Sequence, residues 1–279
     1  MVDEQRPGNT KQRRYTSEHR KKKLDCRAVR FAWRTVFGGD GDKRRGAPAA
    51  DGVILINQAT VTAGGGFPYT ISQSGSYKLS GPLTASANVS AIVIGASNVL
   101  LDLNGFTITC QGTQNPGITT PATVTGGAII GVKIRNGSIT GCYSAVDMSR
   151  ATDAEIDAIQ ASNYQLTGIL ISNGIVRGYS TYGATGAPGP FVLYSNGISY
   201  NSSFAIIEGN RLSNDYFGIV GEGLARISGN VISASGAGMD IRSNGKFAPL
   251  IGGNDLGAAD AGVLGGVSQG NNSCNGLSC

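Results

Sequence analysis

The sequence predicts an all-β chain, wound as a single-stranded, right-handed parallel β-helix of about seven to eight coils behind a basic, partly helical head. Three observations predict it. The pattern Ile-x-[Asn/Gly]-[Gly/Asn]-x-[Ile/Leu/Val] recurs at Ile134–Ile139, Ile171–Val176, Ile207–Leu212, Ile227–Ile232 and Ile251–Leu256. A second pattern, Gly or Ala before an apolar residue, recurs at Ala145-Val146, Gly168-Ile169, Gly197-Ile198, Gly218-Ile219, Gly238-Met239 and Gly262-Val263, in steps of 23, 29, 21, 20 and 24 residues. The third observation is composition: 43 of 279 residues are Gly and only 15% are charged, a profile foreign to helical bundles and coiled coils.

A period near 22 residues is too short for a strand, a crossover helix and a second parallel strand. It suits one solenoid coil, whose short strands stack on those of the next coil at about 4.8 Å. Apolar residues such as Val146 and Met148 then point inward and Asp147 outward. Gly and Asn supply the left-handed corners, and Asn210, Asn230 and Asn254 fall in one phase, where stacked amides form a hydrogen-bond ladder. The expected organisation is a head over 1–50, a β cap and first coil over 51–95, the β-helix over 96–265 and a capping tail over 266–279.

Charge divides along the same boundary. The head carries 14 Lys/Arg against 6 Asp/Glu, and the remainder 9 against 12. A mildly acidic body is a poor partner for a phosphate backbone, so no nucleic acid is expected on it. No apolar run is long enough to span a membrane. The head reads as a disordered, solvated basic tail or as a short amphipathic helix over roughly 17–37, where Leu24, Ala28, Phe31, Ala32, Trp33 and Val36 recur at helical steps. That helix either covers an open end of the body or offers a basic surface to a membrane or nucleic acid. Ala47-Pro48-Ala49 before Ala50-Asp51 has the form of an export cleavage site, yet Gly41-Asp42-Lys43-Arg44-Arg45 is not an apolar leader. A wrongly chosen start would reconcile the two.

Ile71-Ser-Gln-Ser-Gly-Ser-Tyr-Lys-Leu-Ser-Gly81, Ala91–Ile94 and Ser97-Asn-Val-Leu-Leu-Asp-Leu-Asn-Gly-Phe-Thr-Ile108 resemble the opening of bacterial right-handed parallel β-helix repeat proteins of the pectin-lyase-like fold. With the later coils the resemblance covers about 53–265. It implies the fold and, since such proteins are usually exported, an extracellular or cell-envelope location. It does not imply one activity, because the superfamily includes lyases, hydrolases, epimerases, adhesins and proteins with no known reaction.

Five cysteines cannot all pair within one chain. Cys110 and Cys142 share a phase of the repeat, as a disulfide or as stacked thiols. Cys274 and Cys279 can close the C-terminal loop, leaving Cys26 unpaired in the head.

The only His is His19, so the body has no Ser-His-Asp or Cys-His centre. The polygalacturonase signatures Asn-Thr-Asp, Asp-Asp, Gly-His-Gly and Arg-Ile-Lys are absent, as are the Arg-x-Pro-x-x-Arg and Trp-Ile-Asp-His signatures of pectate lyases. One charged cluster remains. Lys133 and Arg135 flank Ile134, and one coil later Glu155 and Asp157 flank Ile156, with Asp153 extending the acidic row. It reads as a cross-coil salt ladder or as a uronide site, in which carboxylates hold Ca²⁺ and Lys133 or Arg135 takes a proton. Outside that second reading no cofactor is expected.

Tyrosines crowd the later coils, and the coil around Arg177–Pro190 is lengthened, which places a loop on the solenoid's side. Tyr164, Tyr179, Tyr182 and Tyr216 with Asp215 are the candidates for stacking on and hydrogen-bonding a sugar. The expectation is an exported monomer that binds extracellular or cell-wall polysaccharide without a catalytic centre. The alternatives are a uronide lyase or epimerase and a structural or adhesive surface protein.

Overall fold

The structure, a computed structural model, describes residues 52–278 except 113, 124–126, 183–194, 234–238, 244–248, 258–260 and 275–276. The basic head with its expected helix, His19, Cys26 and the export-like junction lies outside those residues, as do Cys279 and the 183–190 part of the expected side loop.

Short strands stack in parallel into a β-solenoid of about seven turns. Three stacks make up each turn. The first begins Ile54–Ile56, Gly75–Leu79, Val99–Asp102 and runs through the starts of Lys133–Thr140 and Ala154–Ser162 to Gly174–Arg177 and beyond. The second joins Leu83–Ala85, Thr107–Cys110, the second halves of the same two long strands and Ser180–Tyr182. The third joins Tyr69–Ile71, Ile92–Ile94, Ile118–Thr119, Ser144–Met148 and Thr167–Ile171. Along each stack one column faces inward. Ile134, Ile156, Val176, Ile207, Ile227 and Ile251 fill the column of the first stack and are fully buried. Such stacking gives each aliphatic side chain two like neighbours, and burying each contributes about 1.5–3 kcal/mol.

The corner between the first two stacks is left-handed in coil after coil. Asn104, Asn136, Ala158, Gly178, Gly209, Gly229 and Gly253 occupy it with φ between 50° and 65°. Ala158 is the only residue of that set other than Asn or Gly. An L-residue with a Cβ costs about 1–2 kcal/mol there, partly offset by the chain entropy a Gly would lose. Ala158→Gly is therefore expected to stabilise the fold by up to about 1 kcal/mol, read as a raised midpoint of urea unfolding. Because Ala158 is exposed, no packing contact opposes the gain.

Immediately after this corner the later coils bury an asparagine. Asn210 Nδ2 donates to Asn230 Oδ1 at 2.9 Å, Asn230 to Asn254 at 2.9 Å, and Asn254 to Asn272 at 3.0 Å. Each side-chain oxygen also accepts the backbone N–H of the preceding member, at 3.0–3.1 Å. Each Nδ2 donates besides to a carbonyl one coil back, that of Val176, Ile207, Ile227 or Ile251. The ladder expected at three rungs thus has a fourth, Asn272. It starts on Tyr179, whose N–H donates to Asn210 Oδ1 at 2.9 Å.

The cap contains an element the sequence reading does not anticipate, a short α-helix at Gln58–Ala63. Asn57 and Thr60 form its reciprocal capping box, each side chain bonded to the other's backbone N–H at 3.0 Å, and Val61 is its buried residue. Cys110 and Cys142 form a disulfide with Cα atoms 4.9 Å apart. Of the two readings of that pair, stacked thiols is the one the structure removes. Cys274 is also disulfide-bonded. Among the described residues no helix is long and apolar enough to cross a membrane.

Candidate functional site

The charged cluster lies on the outer face of the first stack, where alternation along each strand turns its members away from the aliphatic column. Register places Lys133 beside Glu155 and Arg135 beside Asp157. It also adds residues on both sides. Asp102 pairs with Lys78 and with Arg135, Asp157 with Arg177, and Arg177 with Glu208. One row therefore reads Lys78, Asp102, Arg135, Asp157, Arg177, Glu208, with the sign alternating at every rung. Parallel strands about 4.8 Å apart put like charges in contact unless the sequence alternates, so the order is what a stable rung-by-rung stack requires.

Ion pairs fill the cluster. Lys133 Nζ lies 2.7 Å from Glu155 Oε2, and Arg135 lies 3.1 Å from Asp102 Oδ2. Arg177 binds Glu155 Oε1 and reaches Asp157 Oδ2 at 3.5 Å. The Lys133 hydrogen bond, with the charges of Lys133 and Arg177, holds the Glu155 carboxyl below its usual value against a smaller opposing effect of burial. The side chains enclose a hollow of about 220 Å³. Asp153 does not extend the acidic row. Its φ of 54° puts it at a left-handed corner before the strand, where it is exposed. Because these pairs are open to water, each is worth roughly 0–1 kcal/mol. Arg177→Ala is expected to cost about 1 kcal/mol or less, with the cost shrinking further in 1 M salt, as thermal melts at two ionic strengths would read.

The tyrosine candidates separate. Tyr164, Tyr179 and Asp215 come together, but in the core, at 0%, 1% and 1% exposure. Burial is what keeps them from stacking on a sugar at the surface. Tyr164 O–H donates to Asp215 Oδ1, and Thr181 O–H donates to Oδ2 at 2.8 Å. Desolvation raises the Asp215 pKa to about 7 despite both hydrogen bonds, and it pushes both tyrosines well above their usual range. Room for this cluster comes from the second sequence pattern. A Cβ on Gly168 would sit 1.8 Å from Tyr179 Oη, and one on Gly197 would sit 2.8 Å from Asp215 Oδ2. The recurring Gly-before-apolar pair is thus a packing requirement at those coils. Tyr216 is half-buried with its ring edge-on to Phe217 at 4.8 Å. Tyr182 is 70% exposed, the one tyrosine of the five candidates that presents its ring to solvent.

Asp102 and Arg177 belong to the cluster and were not among its expected members. Coils of unequal length hide them: Arg135 follows its partner Asp102 by 33 residues and Arg177 follows Asp157 by 20. Farther along the same face, Glu208, Arg226, Ser228, Leu250, Gln269 and Asn271 line a groove of about 730 Å³. Among the described residues no three His, Cys, Asp or Glu side chains are grouped to hold a metal ion.

These features define the class, a parallel β-solenoid protein with an ion-paired outer sheet. Comparison with protein-family models, with curated proteins and with solved structures finds no match.

Proposed function

We propose that the chain is an exported β-solenoid protein that binds an extended extracellular or cell-wall polysaccharide without cleaving it. The observation that carries this reading is the ion-paired cluster. A lyase base must be free to take a proton next to a uronide carboxylate, whereas Lys133 and Arg135 are each held by a carboxylate. What the solenoid offers a ligand is rows of identical spacing along a rigid axis, about 4.8 Å per coil, close to the length one hexose takes up in a linear chain. The resemblance of 53–265 to pectin-lyase-like proteins supports a polysaccharide partner. The Cys110–Cys142 disulfide supports an oxidising, extracellular compartment.

The test mixes the full-length protein with cellulose, chitin, polygalacturonate and alginate, with and without Ca²⁺. Depletion from solution and unsaturated-uronide absorbance are followed in the same samples. Saturable retention without absorbance is expected. Absorbance that grows with one uronide polymer and vanishes in Lys133→Ala or Asp157→Ala replaces this reading with a lyase. No retention on any polymer removes the sugar partner.

A further inference from the structure

The outer face of the second stack differs in chemistry from the charged one. Thr84, Thr109, Thr140, Ser162 and Tyr182 stand in register on five successive strands, every one a hydroxyl. Two residues earlier on the last four of those strands stand Thr107, Ser138, Gln160 and Ser180. No member of either row is charged, whereas the row on the neighbouring stack alternates full charges over the same coils. The grid these rows make has a spacing of about 4.8 Å along the axis and roughly 6.6 Å across it.

The hydroxyls are oriented. Ser162 Oγ donates to Thr140 Oγ1 at 3.0 Å, and Asn163 Nδ2 donates to the same oxygen at 3.4 Å. With two donors arriving, the Thr140 oxygen keeps its own proton to give. Ser138 Oγ donates to Gln160 Oε1 at 3.4 Å, so the second row is linked in the same way. Hydroxyls chained like this polarise one another. At the end of the strip Tyr182 holds out an exposed ring.

We infer that this strip is the polysaccharide-binding surface and that its ligand is a neutral, linear polysaccharide lying along the solenoid axis; the inference rests on the function proposed above. An uncharged polymer dense in hydroxyls gives and accepts hydrogen bonds along the two rows, and one sugar face stacks on Tyr182. Within these rungs an acidic polymer meets no counter-charge; the first cation of the stack is Arg211, in register with Ser180 on the next strand. Five rungs span roughly 19 Å, room for about four sugars, so affinity rises with oligosaccharide length up to about four residues and then levels off.

The experiment measures adsorption isotherms of the full-length protein on cellulose and chitin, with Tyr182→Ala, Thr140→Lys and Arg135→Ala as variants. Tyr182 is exposed, so its truncation leaves the fold intact, and melting curves check the other two. Tyr182→Ala and Thr140→Lys are each expected to raise the Kd about tenfold, and Arg135→Ala to leave it unchanged. If the wild-type protein is retained but both strip variants bind equally well, the strip is not the site while the proposed function stands. Tighter binding to polygalacturonate than to the neutral polymers also overturns the inference. If the wild-type protein is retained by no polymer, the inference and the function fall together.

Discussion

Asn230→Ala is expected to destabilise the solenoid by about 4 kcal/mol, well beyond any of the surface ion pairs. Asn230 is 0% exposed. Its oxygen accepts from the Asn210 backbone and side chain, and its amide donates to Asn254 and to the Ile207 carbonyl. Truncation strips partners from several groups that water cannot reach, each costing about 1–3 kcal/mol. Asn272→Ala, at the last rung, is expected to cost less, because its amide donates to the exposed Ser268 hydroxyl instead of to a further buried asparagine, so its loss strands fewer groups that water cannot reach. Urea unfolding of the two variants checks both the size and the order. Equal, small losses in both would mean the amide chain contributes nothing beyond its shape.

The second large effect is a fall of stability with rising pH, centred on Asp215. The groups around it are Tyr164, Tyr179 and Thr181, all uncharged near neutrality, and no cation is among them. The folded pKa is about 7 against 3.8 for the exposed group, so the folded state holds the proton more tightly than the unfolded chain. Stability from that proton is fully present below about pH 3.8 and is lost as pH rises towards 7, by about 4 kcal/mol in total. Glu155 works in the opposite sense, because its lowered pKa adds stability above pH 4.5 that is lost as the pH falls below it. Asp215→Asn cannot ionise and is expected to flatten the profile between pH 4 and 7.5. Unfolding free energies at several pH values test this. A wild-type profile that is level across that range would show that the carboxylate is solvated.

Much of the solenoid is legible in the sequence because the repeat is chemical as well as numerical. In its Ile-x-Gly-Asn form the pattern marks an inward aliphatic, a left-handed corner and a buried amide in one phrase, so three of the four ladder asparagines follow from it. The copy at Ile171–Val176 is out of phase, because Ile171 lies on the third stack and Val176 is the residue in register with Ile156. Asn272 escapes because its coil reads Ser268-Gln-Gly-Asn-Asn272, with no leading Ile and one residue more. Tyr179 looks like a loop residue, yet it holds the phase that Asn210 holds one coil later. Tyr164 and Asp215 each follow a left-handed Asn, with φ of 53° at Asn163 and 61° at Asn214, which marks both as core positions. The lengthened coil between them obscures that correspondence. The hydroxyl strip is written in Thr107-Ile-Thr109, Ser138-Ile-Thr140 and Gln160-Ala-Ser162, each beginning two or three residues after the corner at Asn104, Asn136 or Ala158. Small polar residues carry little signal one at a time, and only the register turns them into a row.

The most direct measurement of the binding account is hydroxyl-radical footprinting of the full-length protein with and without bound cellulose or chitin. The account predicts that oxidation of Tyr182 falls when polymer is bound. Phe204 and Leu224, exposed at 52% and 45% and outside the hydroxyl rows, keep their rates. Unchanged oxidation of Tyr182 on protein that the polymer demonstrably retains would contradict it.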